Sequence, residues 1–158
     1  MTVATSAGST LRVTSSAPAT FNASGYNTLF DASPAPALVG EITDLGEFGR
    51  EYALVTHNPV GTRGTQKFKG SFNEGTMSMT LGLDTDDAGQ IIMKTASLSD
   101  ADYSFKVTTQ NGDKYFFQAK VMNFKVNVGS VDSITTASVT LEITTNSAGV
   151  GIVESLAA

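Results

Sequence analysis

The chain has 158 residues, an apolar content of 41% and a formal net charge of -5. Its length suits one domain, here expected over residues 1–158, and its acidic balance argues against tight binding of nucleic acid, which depends on bases that contact phosphates. The chain has no cysteine and a single histidine, His57. This excludes disulfides, thiolate catalysis and cysteine-ligated metals, together with most zinc sites.

The first segment of the chain, residues 1–28, is rich in Ser, Thr and Ala and carries one charge, Arg12. Such a composition predicts an N-terminal arm that is extended or flexible until a partner binds it. Its start lacks the basic residues and apolar stretch of a signal peptide. No apolar run in the chain approaches the roughly 18 residues of a membrane span. We therefore expect neither export nor membrane insertion.

Apolar residues then alternate with polar ones in several segments, which is typical of half-buried strands. The Asn111-Gly112 pair between two of these segments predicts a hairpin with a type I′ turn. After Val121 the apolar phase slips by one residue, which predicts a bulge or a corner. The last strand has no obvious protection against pairing at its edge. Strands are predicted at about 50–57, 76–83, 103–107, 114–121 and 133–145.

One helix is predicted, in the stretch "DDAGQIIMKTASL" at residues 86–98. Asp87 is expected to cap its N-terminus, with Gln90 three residues later as the partner of a capping box. Six to eight strands and one helix indicate a mainly β protein, an antiparallel β-sandwich or barrel with one flanking α-helix. Residues of roughly 57–73 form a long inter-strand loop in this interpretation.

Three aspartates precede this helix, at Asp84, Asp86 and Asp87. A calcium loop that starts at Asp84 would need oxygen ligands where Ala88 and Thr95 stand, so calcium binding is not expected. Catalytic carboxylates need a cleft that shifts their pKa values, and adjacent residues on a solvated turn do not provide one. We interpret the cluster as a strand end followed by a helix cap. His57, before an Asn-Pro pair, is interpreted as a surface-loop residue, and no cofactor or metal is expected.

Opposite charges form two clusters in the middle of the chain. The bases are Arg63, Lys67 and Lys69, and the acids are Glu41, Asp44, Glu47 and Glu51. The two clusters are either solvated loops or complementary patches for self-association. The charge pattern by itself leaves both interpretations open.

An ordered series of segments across residues 17–145 resembles the tail tube (major tail) proteins of long-tailed bacteriophages. The segments are "APATFNASGYNTL", "GEITDLGEFGREYALVTHNP", "KFKGSFNEGTMSMTLGLDTDDAGQ", "YSFKVTTQNGDKYFFQAKV" and "NVGSVDSITTASVTLEIT". The resemblance implies a β-sandwich with a flanking helix, a long loop and extended terminal arms. It implies hexameric rings that stack into a hollow tube through which phage DNA passes without specific binding, and it implies no catalysis.

The same resemblance implies a virion protein that is assembled in the bacterial cytoplasm. Its expected partners are further copies of itself and other tail proteins such as the tape measure, the tail tip and the terminator. Two alternatives stay open, the inner tube of a non-phage contractile injection machine and a β-sandwich adhesin or carbohydrate-binding module. The lack of Trp and the apolar phase of most Tyr and Phe argue against the module.

Two hypotheses place residues in such a tube. In the first, the loop around residues 57–71 contacts the neighbouring ring, and its bases face the acids of the second cluster. In the second, the channel wall is acidic, because fixed bases would hold DNA through its phosphates. The candidate lumen-facing acids are Glu47, Glu51, Glu74, Asp84 and Glu142.

Overall fold

The computed structural model describes residues 3–157. Two helices, α1 (Ala23–Phe30) and α2 (Ala88–Ser97), interrupt a succession of strands. The strands are β1 (Thr10–Thr14), β2 (Ala37–Leu38), β3 (Ile42–Asp44), β4 (Glu51–His57), β5 (Gln66–Asn73), β6 (Thr76–Gly82), β7 (Tyr103–Thr108), β8 (Lys114–Asn127), β9 (Thr136–Thr144) and β10 (Val153–Ser155).

Eight of these strands form one antiparallel sheet in the order β2-β1-β7-β8-β9-β6-β3, with β10 beside the start of β8. The sheet curls into a half-barrel, so the predicted mainly β fold with a flanking helix is confirmed. Alternation explains the core, because every second residue of β6 and β9 is buried. Helix α2 adds Met93 and Ala96 to the same core. We call this sheet with its two helices the body.

The predicted N-terminal arm is wrong for most of its length. Residues 10–14 form β1, which pairs with β7 along its whole length and buries Leu11 and Val13 completely. Helix α1 begins at Ala23 and packs Tyr26 against Phe116, with 5.2 Å between the ring centroids. The apolar patterns of β1 and α1 are short and lie among many Ser and Thr residues, and tertiary contacts stabilise both elements. Residues 1 and 2 lie outside the described residues.

The turn between β7 and β8 differs from the predicted type I′ turn. The Gly112 N–H donates to the Thr109 carbonyl at 3.0 Å, and the Thr109 N–H donates to the Asp113 carbonyl at 2.9 Å. Gly112 has a φ of 90°, whereas Glu41 is the one non-glycine with positive φ among residues 3–157, so Asn111 does not have it. The result is a three-residue connection with glycine in the left-handed position, which needs one residue of positive φ instead of two.

The phase slip after Val121 is confirmed as a bulge, since the register of β8 against β9 shifts between Val121 and Asn123. Beyond the bulge, Phe124 packs against the core from the same strand. Strand β9 does not lie at an edge, because it pairs with β8 on one side and β6 on the other. The expectation of an unprotected last strand was therefore wrong. The predicted long loop is also shorter, because its second half forms β5.

Candidate assembly hairpin

Strands β4 and β5 stand apart from the body and pair only with each other. Every residue of β4 is exposed, and in β5 all except the half-buried Gly70 are exposed. An isolated two-stranded hairpin is at best marginally stable in water, because it has no core to bury its side chains. We call residues 51–73 the hairpin. Its lack of a partner strand among residues 3–157 makes it the strongest candidate for a contact with another molecule.

The register gives the hairpin two different faces. Val55 lies directly opposite Phe68, and these side chains are 48% and 54% exposed. Leu54 lies opposite Lys69 on the other face. Because neighbouring residues of a strand point to opposite sides, Ala53 shares the side of Val55 and Phe68, which we call the apolar face. Lys67 and Lys69 belong to the other side, which we call the basic face.

Aromatic rings and cations pack together on the basic face near the base of the hairpin. Tyr52 and Phe72 meet edge to face with ring centroids 5.7 Å apart. The Arg50 guanidinium lies 3.8 Å from the centroid of Phe72, and the Lys69 ammonium lies 4.8 Å from that of Tyr52. These are favourable cation–π arrangements. Most aromatic residues are buried or half-buried, as expected, but Tyr52, Phe68 and Phe72 are exposed.

One ion pair ties the hairpin to the body. The Arg50 Nε donates to Glu74 Oε1 at 2.8 Å, and the Glu74 side chain is only 1% exposed. Glu74 Oε2 also accepts a hydrogen bond of 3.4 Å from the backbone N–H of Ile152, next to β10. Hydrogen bonds to Tyr52 and then Glu74 raise the pKa of Arg50 above its ordinary value. The residues on either side of the hairpin thus hold it through a buried carboxylate.

The predicted charge clusters are not brought together within one chain. Of the acids, Glu51 is the first residue of β4 and therefore belongs to the hairpin itself. The others, Glu41, Asp44 and Glu47, are exposed on β3 and on the residues beside it that lead into the hairpin. Residues 51–73 carry three bases and one acid, whereas the rest of the chain carries seven bases and fourteen acids. The hairpin is thus a basic element on an acidic body, and its cations are available to another molecule.

The five candidate lumen-facing acids occupy different parts of the molecule. The prediction is wrong for Glu74, because this residue is buried and paired with Arg50 and offers no free charge to a channel. Glu142 lies on the polar face of β9 and accepts a hydrogen bond of 2.8 Å from Thr76 Oγ1. Glu47 and Asp84 lie on exposed loops, and Glu51 lies on the hairpin.

The strands of the large sheet carry more bases than acids, which does not favour the sheet as the wall of an acidic channel. The acids on these strands are Asp44, Glu142 and Glu154. The bases are Arg12, Lys106, Lys114, Lys120 and Lys125. The acidity of the chain therefore resides mainly in its loops and not on the sheet.

Asp87 is the N-cap residue of α2, and its carboxylate accepts hydrogen bonds from the backbone N–H groups of Gln90 and Gly40. The predicted capping box is wrong, because the Gln90 amide is buried and turned elsewhere. Its Oε1 accepts from the Asp84 N–H at 2.9 Å, and its Nε2 donates to the carbonyls of Gly40 and Gly82. Gln90 therefore joins α2 to two loops instead of closing its own first turn.

Asp84 and Asp86 remain exposed beside this cap, and Asp84 Oδ1 accepts from the Asp86 N–H at 3.0 Å. Within residues 3–157 no group of three or more His, Asp or Glu side chains is arranged to hold a metal ion. The expected absence of calcium binding stays a prediction. His57 ends β4, opposite Gln66, and is part of the hairpin and not of a loop.

No protein-family model matches this sequence, and no curated protein matches it. Among solved structures, a chain of the anti-feeding prophage (AFP) baseplate, determined by cryo-EM with 6-fold symmetrisation, has a TM-score of 0.62 at 11% identity. The match covers 89% of this chain and 91% of that chain. This chain therefore has the fold of that baseplate component.

A crystal structure of an Hcp protein is matched with a TM-score of 0.42 and 10% identity, over 94% of this chain and 98% of that chain. A score of this size supports no argument about function. Neither α1 nor α2, the helices of the described residues, is long and apolar enough to cross a membrane.

Proposed function

We propose that the protein is a structural subunit that assembles with further copies into stacked rings, as in the tube of a phage tail or of a contractile injection machine. The observation that carries the proposal is the hairpin, which displays Val55 and Phe68 to solvent and pairs with no other strand of residues 3–157. An exposed apolar patch on a folded protein commonly marks a contact surface. The fold shared with a component of the AFP baseplate supports the same class of function.

The AFP likeness also favours an injection machine as the specific alternative to a phage tail. In either case the subunit acts by assembly and not by catalysis, and it associates with the other components of the particle. We propose six subunits in each ring on the basis of the sequence resemblance and of the 6-fold symmetry of the AFP baseplate. A tape measure, a tail tip and a terminator are the further partners that such a tube would have.

Electron microscopy of the purified protein tests this proposal most directly. Negatively stained samples at rising concentration should show rings of six subunits and then stacked tubes. Light scattering should show a matching increase in mass. Monomers at every concentration would overturn the proposal and favour an adhesin or a carbohydrate-binding module, whose exposed aromatics would be Tyr52, Phe68 and Phe72.

The stacking role of the hairpin cations is tested by charge reversal. Changing Arg63, Lys67 and Lys69 to Glu should shorten or abolish the tubes while the circular dichroism spectrum stays unchanged. Each exposed ion pair contributes only about 0–1 kcal/mol, but a ring repeats every pair. The matched control reverses Lys106, Lys114 and Lys125 on the sheet. Tubes of unchanged length in the hairpin variant would refute the role of these cations.

The acidic channel remains a proposal of its own and depends on which surface lines the tube. Because the sheet carries mainly bases, the acids of the wall would come from loops that contain Glu47 and Asp84. Duplex DNA added to assembled tubes should then elute freely at moderate salt. Retention that weakens steeply with salt would indicate a basic wall instead.

A further inference from the structure

A shallow apolar groove of about 350 Å³ lies between α2 and the last part of β8. We call it the α2–β8 groove. Three of its apolar side chains are strongly exposed, namely Ile91 at 50%, Leu98 at 87% and Val126 at 49%. Phe124 and Leu83 complete the apolar lining. Side chains of this kind are seldom left open together unless something covers them.

The bulge in β8 explains why this groove exists. Before the bulge, Phe117, Ala119 and Val121 point into the core, and after the one-residue slip Phe124 packs against the core while Val126, two residues on, shares its face. Strand β7 begins at Tyr103, opposite Ala119, so the later part of β8 extends beyond it. The later part of β8 therefore pairs with β9 on one side only, and Phe124 and Val126 line the groove together with residues of α2.

The charges at the groove narrow the choice of occupant. Asp84 and Lys94 are its charged lining residues, and Asp86 adjoins Asp84 through a backbone hydrogen bond. Neither aspartate takes part in the two ion pairs found within residues 3–157. The hairpin, by contrast, carries three bases and one acid, with Lys67 and Lys69 on the face opposite Phe68. An element of net positive charge with an apolar face complements an apolar groove with aspartates at its end.

We propose that the α2–β8 groove receives the apolar face of the hairpin from a second copy of the chain. This inference rests on the proposed function and names the receiving surface for its contact. Val55 and Phe68 enter the groove, and the net positive charge of the hairpin offsets the negative charge of Asp84 and Asp86 at its end. The hairpin of the same copy does not fill the groove, since its own apolar face is exposed.

The lack of cysteine in the chain allows a direct test by crosslinking. Val55→Cys and Val126→Cys are prepared separately, mixed in equal amounts, assembled and oxidised. A disulfide forms only where the two Cα atoms approach to about 4.4–6.8 Å, so a linked pair reports a specific contact. The matched control replaces Val55→Cys by Thr56→Cys, its neighbour on the basic face of the hairpin.

The expected result is a linked dimer in the Val55→Cys and Val126→Cys mixture, about tenfold or more above the control mixture, because docking raises the local thiol concentration. Assembly without this link would overturn the groove and leave the proposed function standing. Equal linking by Thr56→Cys would overturn the assignment of the apolar face. Val126→Cys linking to itself would show groove-to-groove contact and overturn the hairpin as occupant. Failure of the unaltered protein to assemble would overturn both proposals.

Discussion

The body and the hairpin of this protein are built from similar strands but differ in what stabilises them. In the body, Phe105 and Leu141 are fully buried, and the strands that carry them pair on both sides. In the hairpin, Phe68 has no cover and each strand pairs on one side only. The body supplies its own core, whereas the hairpin has the same kind of side chains and no core to receive them. The body therefore forms the stable fold, whereas the hairpin leaves an apolar surface for the proposed contact.

The largest difference is expected between two phenylalanines. Phe105→Ala should lower the free energy of unfolding by about 3–5 kcal/mol, because it leaves a cavity in the core. Phe68→Ala should change it by no more than about 0.5 kcal/mol, because the side chain is exposed in the isolated chain. Urea unfolding of dilute, unassembled protein measures both. At higher concentration, assembly should be lost in Phe68→Ala. Equal losses of unfolding free energy in the two variants would contradict the difference between body and hairpin.

Two glycines give a second contrast. A Cβ on Gly89 in α2 would clash with the Leu38 carbonyl oxygen, whereas one on Gly61 beyond β4 would meet nothing within 4 Å. Gly89→Ala should therefore destabilise the body by about 1–3 kcal/mol through overpacking. Gly61→Ala should be neutral or stabilise by up to about 1 kcal/mol, because it restricts the unfolded chain. Thermal unfolding monitored by circular dichroism distinguishes them, and equal effects would contradict the close approach of α2 to β2.

Alkaline pH should lower the free energy of unfolding through Tyr26. Burial raises the pKa of Tyr26 to about 12 from its usual value near 10. Because the unfolded chain loses this proton first, the stabilising contribution is complete below about pH 10 and is lost as the pH rises toward 12. The loss should reach about 2 kcal/mol at pH 12, and Tyr26→Phe should abolish it.

Tyr52→Phe on the hairpin serves as the control for that experiment. Denaturant unfolding at pH 9 to 12 gives the dependence for the unaltered protein and both variants. The Tyr52→Phe profile should follow that of the unaltered protein. An unchanged alkaline loss in Tyr26→Phe would show that another group causes it.

The smallest expected effect concerns the ion pair at the base of the hairpin. Glu74→Gln keeps the shape of the side chain and removes the charge that holds Arg50. Amide hydrogens of β4 and β5 should then exchange about tenfold faster, while those of β7 and β9 stay unchanged. Hydrogen exchange followed by mass spectrometry measures both regions. Glu51→Gln, exposed on the hairpin, is the matched control, and faster exchange throughout the body would show that the pair stabilises the whole fold.

Several features of the body could be predicted because they depend on local periodicity. The alternation of β6, β7 and β9 and the phase slip in β8 each occur within one segment of chain. The cap of α2 by Asp87 is equally local. Helix α1 and strand β1 were missed because each has only two large buried side chains among many small residues. Their stability comes from β7 and from Phe116, which lie far away in sequence.

The candidate site divides in the same way. The strand at residues 50–57, the bases at 63–69 and the lack of thiol or histidine clusters follow from the order of residues in the chain. The three-dimensional contacts were needed to show that β4 and β5 leave the sheet, that Val55 and Phe68 share one face, and that Glu74 is paired and buried. Alternation reports which side chains share a face, whereas burial depends on whether a distant element covers that face. For the hairpin, no element of its own described chain does.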